Sequence, residues 1–411
     1  MFQLRFVAIV TLSLSVGCSS TKNAHKYLPA DAVVFADSNL YHAYRQYVYF
    51  SRQIPDPVFP RSLDKEGRLV PSNSGWWCSG FYPGTMLLLQ ENFKNDTLKK
   101  ETKEKLRLLE KEKFNTSTHD LGFMMYCSYG NLNRISPDTM FKNILVQSAK
   151  SLSTRFSPVT QSIRSWDSKN KKEFIVIIDN MMNLELLFYA TKVTGDSSFY
   201  KIAVTHANTT IKNHFREDNS SYHLVVYDAD NGGILSKKTA QGAHDTSAWA
   251  RGQAWGLYGF TETYRNTGDP RYLEMANKIA AFMLHHPNKT SDHIPYWDYN
   301  ATDIPNALRD VSTGSIMASA LLELATYSKK HSKEYMLEAV AILKSLSSAA
   351  YRARVGENGG FLLKHGVGHL PAKSEVDVPL TYADYYYVEA LMRYKKLAQG
   401  TKLFEQFLPQ R

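Results

Sequence analysis

Two aspartates stand where carboxylates are costly unless a partner or a reaction uses them. Asp120 follows His119 and directly precedes an apolar, aromatic run, and Asp179 precedes another apolar run. Burying such a group without a partner costs free energy. Each aspartate alone is explained as a helix N-cap, which contributes about 1 kcal/mol. Asn180 and Asn183 lie within one turn of Asp179 and favour a buried polar pocket, so we predict an acid/base site built from two helix ends.

The densest group of functional side chains lies between residues 241 and 256. Ser247, Arg251 and Trp255 recur at four-residue spacing, which predicts that they share one face of a helix. Arg251 can make a two-pronged contact with a carboxylate, while Trp249 and Trp255 can stack on a sugar ring. A core helix that holds Arg251 in an internal ion pair explains these residues equally well.

The composition indicates a globular protein that attracts anions. The chain has 411 residues, of which 43% are hydrophobic and 21% charged, and its net charge is +10. Such a charge suits nucleic acid, anionic lipid or acidic polysaccharide. The densest basic stretch, residues 99–107, is interleaved with glutamates like a solvated helix face, and no nucleic-acid-binding motif is evident. Aromatic residues, at 12%, fill a core or line a sugar-binding cleft, so we favour an acidic glycan and expect no nucleic acid partner.

Helical periodicity dominates the chain, with one short strand-like segment at residues 223–227. About twelve helices in hairpin pairs, without a repeat of fixed length, favour a closed toroid over an open solenoid. In a toroid the inner helices line a funnel, and the loops at one end carry the chemistry. The predicted helices span residues 36–53, 80–92, 96–111, 120–132, 138–154, 174–194, 197–214, 247–267, 270–285, 311–328, 332–350 and 382–398.

The N-terminal residues are typical of an export signal. Arg5 precedes an apolar run, residues 6–16, that is too short to span a bilayer. The run ends in Gly17-Cys18, as at a bacterial lipoprotein cleavage site, although an ordinary signal peptide with an incidental cysteine is the alternative. We expect an exported protein, periplasmic or anchored to the outer membrane through a lipid on Cys18.

This signal sets the expected domain boundaries. Residues 1–18 form the signal peptide, residues 19–33 a tether, and residues 34–411 a single catalytic domain. The two other cysteines, Cys78 and Cys127, either pair or remain buried thiols. No metal-binding spacing of Cys or His is present, so we expect neither a metal nor an organic cofactor.

Five short motifs follow one another in a specific order. They are WCSGFYPG from Trp77, HDLGF from His119, IDNMMN from Ile178, WARGQAW from Trp249 and YADYY from Tyr382. Each is weak alone, but together they resemble glycoside hydrolase family 88, the unsaturated glucuronyl hydrolases, over residues 35–398. The resemblance implies a single-domain, all-α (α/α)6 barrel.

The resemblance also implies a reaction and roles for individual residues. The substrate would be a lyase-generated glycosaminoglycan oligosaccharide that ends in a Δ4,5-unsaturated glucuronic acid, and the enzyme would hydrate its C4=C5 bond. Asp179 matches the general acid and base, and Asp120 matches a second carboxylate that holds substrate hydroxyls. The positions that match substrate-binding residues are Trp77, His119, His223, Gln241, Arg251 and Trp255.

Two other functions stay open at this point. One is the related unsaturated rhamnogalacturonyl hydrolysis of pectin fragments, and the other is non-catalytic binding of acidic glycans by a surface lipoprotein. The loop at residues 364–375 lies where family members contact the next sugar. Its charged residues, Lys364, His365, His369 and Lys373, either meet a sulfate group or are solvated loop charges.

Overall fold

The computed structural model describes residues 26–404, in which helices alternate between the inside and the outside of a barrel. The even-numbered helices are largely buried, apart from the short α4, and the odd-numbered ones expose a polar face. The predicted (α/α)6 barrel is confirmed. In chain order the helices are α1 (Ala32–Phe50), α2 (Phe81–Gln90), α3 (Asp96–Leu109), α4 (Asn131–Ile135), α5 (Thr139–Ser153), α6 (Leu184–Thr194), α7 (Ser197–Asn213), α8 (Ala250–Thr267), α9 (Pro270–His285), α10 (Val311–Tyr327), α11 (Ser332–Leu346) and α12 (Thr381–Ala398).

The inner ring closes because its last helix returns to its first. Helix α12 packs against α10 on one side and against α1 and α2 on the other. A buried π-helix, Gly122–Gly130, runs into α4 and fills the ring between α2 and α6. Short 3-10 helices precede or follow several of these elements, at Glu110–Phe114, Ile178–Asn183 and Asn358–Gly360.

Two tight turns show how the sequence sets the helix pairs. Gly195 ends α6 and Gly268 ends α8 in the left-handed conformation, with φ of 76° and 69°. In each turn the next residue is an aspartate, Asp196 or Asp269, whose side chain accepts a backbone N–H at the start of the following helix. Pro270 adds a preset φ at the start of α9. An inner helix therefore reverses into its outer partner within two residues.

Nine short strands form four small sheets in the described part of the chain. The largest has the order β5-β6-β7, and the predicted strand near residues 223–227 is its central strand β6. The strands are β1 (Phe59–Leu63), β2 (Leu69–Ser72), β3 (Phe156–Ser157), β4 (Ser162–Ile163), β5 (Glu173–Ile177), β6 (Leu224–Asp228), β7 (Ile234–Lys238), β8 (Gly366–His369) and β9 (Ser374–Val378).

The helix predicted over residues 174–194 was wrong in its first half. Strand β5 and a 3-10 helix occupy the segment up to Asn183, and only the remainder is α-helical. Ile175, Val176 and Ile177 are β-branched and pair with β6, which fits a pleated sheet better than a helix. The helix predicted from residue 247 begins at Ala250, so Ser247 precedes it instead of sharing its face.

Several sequence-based expectations concern the chain's ends and its cysteines. The predicted signal peptide, Cys18 and residues 19–25 of the predicted tether lie outside the described residues, and helix α1 begins at Ala32, before the predicted end of the tether. Cys78 and Cys127 are free thiols, so the disulfide alternative was wrong. Between residues 26 and 404, no helix has the length and apolar character needed to cross a membrane.

Candidate active site

A cavity of about 520 Å³ lies at the end of the barrel where the inner helices begin. Asp120 and Asp179 both line it, as the two-aspartate hypothesis requires. Four of the other predicted site residues line it as well, and two lie behind its surface. The four are Trp77, His119, Gln241 and Arg251, and the two are His223 and Trp255.

Asp179 is a buried carboxyl with spare bonding capacity. Its side chain is 13% exposed, and its Oδ2 atom has no hydrogen-bond partner within the described residues. Burial raises the pKa of Asp179 to about 7, and the charge of Asp120 adds to the rise, whereas Arg251 and a hydrogen bond from Trp255 oppose it. The carboxyl can therefore hold or release a proton near neutral pH.

Close backbone contacts bring the two aspartates together. Gly122 in the π-helix lies against the 3-10 helix that carries Asp179, and a Cβ at residue 122 would stand 2.5 Å from the Asn183 Cα. The backbone N–H of Phe123 donates to Asn183 Oδ1 at 3.1 Å. Asn183 was predicted to mark a polar pocket, and it serves as the link between these two segments. A π-helix is a recurrent feature of functional sites.

Asp120 and His119 present acceptors to the cavity. His119 is fully buried, and its Nδ1 lies 3.0 Å from the carbonyl oxygen of Ser165, so Nδ1 carries the proton of the neutral ring. Burial lowers the pKa of His119, which keeps the ring neutral. Its Nε2 lies 3.3 Å from Asp120 Oδ1, and Thr118 Oγ1 donates to Asp120 Oδ2 at 2.9 Å. A ligand hydroxyl is the donor that this pair of acceptors lacks.

His223, the residue directly before strand β6, faces Asp179. Its Nδ1 accepts the backbone N–H groups of Ala240 and Gln241 at 3.0 and 3.3 Å, so the proton sits on Nε2. This Nε2 lies 3.8 Å from Asp179 Oδ2. Burial lowers the pKa of His223 to about 3, and Arg251 lowers it further, so the ring is neutral. The backbone N–H of Ile178 donates to the His223 carbonyl at 2.9 Å and fixes the two segments side by side.

Arg251 makes the internal ion pair that its sequence allowed, and its contact with a ligand carboxylate stays a prediction. Its Nη1 pairs with the fully buried Asp310 at 3.1 Å, which makes an internal ion pair. Nη1 also donates to the Val367 carbonyl and Nη2 to the Gly368 carbonyl, each at 2.6 Å. These bonds hold the guanidinium at the cavity wall and leave Nε and one Nη2 hydrogen for a ligand. Gln241 lies beside it and donates to the same Gly368 carbonyl at 3.1 Å.

Trp255 corrects one expectation from the sequence. It is 0% exposed and packs against Phe123 and Tyr386, with ring centroids 5.0 and 5.4 Å away. It therefore cannot stack on a sugar, and Trp249, 2% exposed, cannot either. Trp255 instead hydrogen-bonds the Asp179 carboxyl. Trp77, which packs against Phe123, is the predicted aromatic side chain that does line the cavity.

Comparison with characterised proteins decides the family. No protein-family model matches the chain. A protein of Formosa agariphila named unsaturated glucuronyl hydrolase is 44% identical over 357 residues, which cover 85% of this chain and 88% of that protein. The chain belongs to the unsaturated glucuronyl hydrolases.

Other members of the family align over similar lengths. The crystal structure of an unsaturated glucuronyl hydrolase specific for heparin is 42% identical, with a TM-score of 0.86 over 89% of this chain and 98% of that one. An unsaturated chondroitin disaccharide hydrolase of Streptococcus pneumoniae is 31% identical over 85% of this chain and 88% of that protein. The resemblance that the five motifs indicated is confirmed.

Three further residues form an outer wall of the cavity that the sequence did not predict. Arg61, Trp76 and Glu375 line the cavity, and Arg61 Nε donates to Glu375 Oε1 at 2.7 Å. The guanidinium lies 4.5 Å from the Trp76 ring centroid. The adjacent tryptophans 76 and 77 were a visible signal, but the pairing of residues more than 300 positions apart was not. In this glucuronyl hydrolase the outer wall combines an aromatic face with a neutralised ion pair.

The charged residues of the loop at 364–375 are mostly engaged elsewhere. Of the four that the sequence singled out, only His369 lines the cavity, and its Nε2 lies 2.7 Å from the Ala240 carbonyl. Lys364 donates to the Ala349 carbonyl, and His365 lies 2.7 Å from Asp377. In residues 26–404, no group of three or more His, Cys, Asp and Glu side chains could hold a metal ion.

Proposed function

We propose that this chain releases the terminal Δ4,5-unsaturated glucuronic acid from lyase-generated glycosaminoglycan oligosaccharides by hydrating its C4=C5 bond. The observation that carries the proposal is the Asp179 carboxyl, which lines the cavity, has an unpartnered Oδ2, and has a pKa raised to about 7. Such a carboxyl can act first as an acid and then as a base. Relatives named for this activity support the assignment.

Asp179 would act twice in the reaction. The protonated carboxyl gives its proton to C4, and the positive charge that develops is shared between C5 and the ring oxygen. The resulting carboxylate takes a proton from a water molecule as the water oxygen bonds to C5. The C5 hemiketal then opens to a ketone, and the hemiacetal left at C1 expels the remaining sugar chain as an alcohol. Asp179 ends the cycle protonated, as it began.

Asp120 and His119 would hold the hydroxyls at C2 and C3. Both present acceptors to the cavity, and a hydroxyl can donate to either. Asp120 has a second effect because its negative charge raises the pKa of Asp179. A residue that holds the substrate thus also keeps the acid protonated.

Arg251 and Gln241 would bind the substrate carboxylate. Arg251 keeps two N–H groups for a ligand while three carbonyl and carboxylate contacts fix its position. A charged, two-pronged contact of this kind is stronger than a neutral hydrogen bond. His223 and Trp255 lie behind Asp179 and would position it without touching the sugar.

The decisive experiment follows turnover and the origin of the new hydrogen at C4. Unsaturated disaccharides of the heparin, chondroitin and hyaluronan types are incubated with the full chain, and the ultraviolet absorbance of the conjugated C=C–COO⁻ group is followed. In D₂O, hydration of the double bond places deuterium on C4, which nuclear magnetic resonance detects. Attack at C1 would leave C4 without deuterium and would overturn the mechanism. If the absorbance fell only with rhamnogalacturonan fragments, the proposed glycosaminoglycan substrate would be wrong.

The second sugar is the finer part of the proposal. The outer wall is electrically neutral because Glu375 pairs with Arg61, and only His369 of the four loop residues lines the cavity. We therefore expect sulfated and unsulfated disaccharides to differ in kcat/KM by no more than about tenfold, or about 1.4 kcal/mol. Turnover of a matched pair that differs only in one sulfate tests this. A preference of about a hundredfold for the sulfated sugar would contradict it.

We also propose export and lipid anchoring through Cys18. The support is the short apolar run that ends at this cysteine, together with a substrate class that occurs outside cells. Cells that express the chain are fed a radioactive fatty acid, and the membrane fraction is probed for the labelled protein. Cys18→Ala should lose the label, whereas Cys78→Ala should keep it. Label that persists in Cys18→Ala would exclude this anchor.

A further inference from the structure

A second cavity, of about 400 Å³, lies at the other end of the barrel. The π-helix, α6, the second half of α8 and the first half and middle of α12 line it, and Leu403 and Phe404 lie at its edge. Neither Asp120 nor Asp179 lines this second cavity, so it is separate from the candidate active site. The last turns of α6 and α8 lie at this cavity, and because the C-terminal end of a helix carries partial negative charge, they favour a cation there.

A chain of ion pairs crosses the wall of the second cavity. Arg265 contacts Glu185 at 2.8 Å and Glu323 at 3.0 Å. Arg393 contacts Glu323 at 3.1 Å and Glu389 at 3.5 Å. Three carboxylates therefore share two guanidinium groups, so this network of ion pairs carries one net negative charge. Both arginines are therefore paired with carboxylates, which leaves the network no excess positive charge for an anion, although Arg265 Nε and Nη2 and Arg393 Nε have no hydrogen-bond partner in the described residues.

Other cations near the second cavity have carboxylate neighbours of their own. Arg134 at its rim pairs with Glu91 at 2.6 Å. Lys396 lies in the field of Glu91 and Glu389, and burial lowers its pKa. Lys192, also on the lining, is exposed. None of these cations is among the principal groups that shift the pKa of Glu262, described next.

Glu262 is a buried carboxyl on α8 that the ion pairs leave out. It is 1% exposed, lines the second cavity, and receives no hydrogen bond on either oxygen from a donor in residues 26–404. Burial and then the charge of Glu185 raise its pKa well above the ordinary value, while Arg265 lowers it and Glu323 raises it. Glu262 therefore holds a proton, which it can share with Glu185. One proton cannot satisfy both oxygens of Glu262, and no other donor among the described residues reaches them, which indicates a missing donor.

Five tyrosine rings also line the second cavity. Aromatic faces attract cations and also pack against aliphatic chains. Some of the hydroxyls already have partners, since Tyr258 donates to Glu389 and Tyr189 accepts from Asn133. The rings are those of Tyr126, Tyr189, Tyr258, Tyr385 and Tyr386.

We propose that the second cavity binds a small aliphatic primary amine, whose ammonium group donates to Glu262 and Glu185 in place of their shared proton. The ammonium supplies the N–H donors that the bare oxygens lack, and its aliphatic part packs on the tyrosine rings. A metal ion fits less well, because no metal-binding group of side chains occurs within residues 26–404. As the cation enters, Glu262 releases its proton to solvent, and the charge of the site is conserved.

Titration calorimetry with n-butylammonium chloride tests this on the full chain. Measured near pH 7.5 in two buffers of different ionisation enthalpy, binding should release close to one proton per amine bound. Glu262→Gln should weaken binding at least about tenfold, or 1.4 kcal/mol. The new amide can donate to Glu185 and so replaces the shared proton permanently. Butan-1-ol, which has the same chain without the charge, should not bind.

A matched control separates this site from surface charge. Glu274 lies on the outside of α9 and pairs with Lys278, so Glu274→Gln should bind the amine as the unaltered chain does. Turnover of an unsaturated disaccharide shows that each variant is folded. Equal affinity in Glu262→Gln, or no binding by the unaltered chain, would overturn the proposal. Binding without proton release would overturn it too, even if Glu262→Gln failed to fold.

Discussion

The two ends of the barrel each hold a pair of carboxyl groups, and the pairs differ in what surrounds them. At one end Asp179 lies beside Asp120, and at the other Glu262 lies beside Glu185. In both pairs, burial raises the pKa of one member, and this member has at least one oxygen without a hydrogen-bond partner. By titration alone the two pairs would be equally good candidates for a catalytic site.

Their surroundings separate them. Asp179 faces Nε2–H of His223, and Arg251 nearby keeps free N–H groups because backbone carbonyls and Asp310 fix its position. Beside Glu262, the guanidinium among the principal influences on its pKa is that of Arg265, which is already paired with two glutamates. A raised pKa therefore identifies a buried carboxyl, and the unused donors around it decide whether it can do chemistry on a sugar.

The largest expected effect is on turnover. Asp179→Asn removes the proton donor and acceptor and should lower kcat by about 10²- to 10⁴-fold, whereas Glu262→Gln should stay within about twofold of the unaltered chain. The rate at which the substrate's ultraviolet absorbance falls gives kcat for both variants. Circular dichroism confirms that both variants are folded. Comparable losses in the two variants would remove the distinction between the two pairs.

The next effect tests the close contact that assembles the catalytic pair. Gly122→Ala forces a Cβ against the Asn183 backbone and should destabilise the fold by about 1–3 kcal/mol while also lowering kcat. Gly256→Ala is the control, because its new Cβ would meet Ile279 and Ile178 at no less than 3.4 Å. Urea unfolding gives the free energy of unfolding of both variants, and the loss of substrate absorbance gives their kcat. If Gly122→Ala were as stable and active as Gly256→Ala, the contact would not position Asp179.

A further effect concerns stability and pH. The folded pKa of Asp179, about 7, lies above the unfolded value near 3.9, so ionisation of this residue weakens the fold as pH rises between these two values. Asp179→Asn cannot ionise, so this variant does not pay the free-energy cost of a buried charge at high pH. It should be more stable than the unaltered chain at pH 8, by up to about 4 kcal/mol for a shift of about three pKa units, and nearly equal to it near pH 4. Urea midpoints at the two pH values measure this difference in stability. The control is Asp230→Asn, because Asp230 is exposed and its substitution should change stability little at either pH.

The smallest effect concerns the pH dependence of turnover. The first step needs protonated Asp179, so kcat/KM should fall as pH rises through about 7. The Trp255 indole favours the charged carboxylate, and Trp255→Phe should move this fall to higher pH by a few tenths of a unit to about one unit. Trp297→Phe is the control, because that buried indole N–H has no partner in the described residues. A shift toward lower pH would contradict the assigned hydrogen bond.

The sequence predicted the barrel and the two aspartates for clear physical reasons. Helical periodicity over most of the chain required a helical fold, and a carboxylate beside an apolar run required a use. The strand at Ile175–Ile177 was missed because a short apolar run fits a buried helix or a buried strand equally well. Its β-branched residues were the available signal.

Contacts between segments that are distant along the chain could not be predicted from the sequence. Nothing local shows that Asp310 would neutralise Arg251, or that Glu375 would pair with Arg61. The stacking assigned to Trp255 was wrong for the same reason, since spacing places a residue on a helix without saying which side faces a cavity. Glu262 gave no signal at all, because a single glutamate in a helix is ordinary until its neighbours are known.

The closure of the ring by α12 has a consequence for the order in which the protein matures. Tyr382 of the cavity lies on this last helix, which joins α1 and α2, the first to be synthesised. A ribosome that makes about 5–20 residues per second leaves the aromatic inner faces of the early helices uncovered for many seconds. The nascent chain therefore needs protection from aggregation, and turnover should appear only once the final helix has emerged. Activity in a timed translation reaction would thus report completed chains alone.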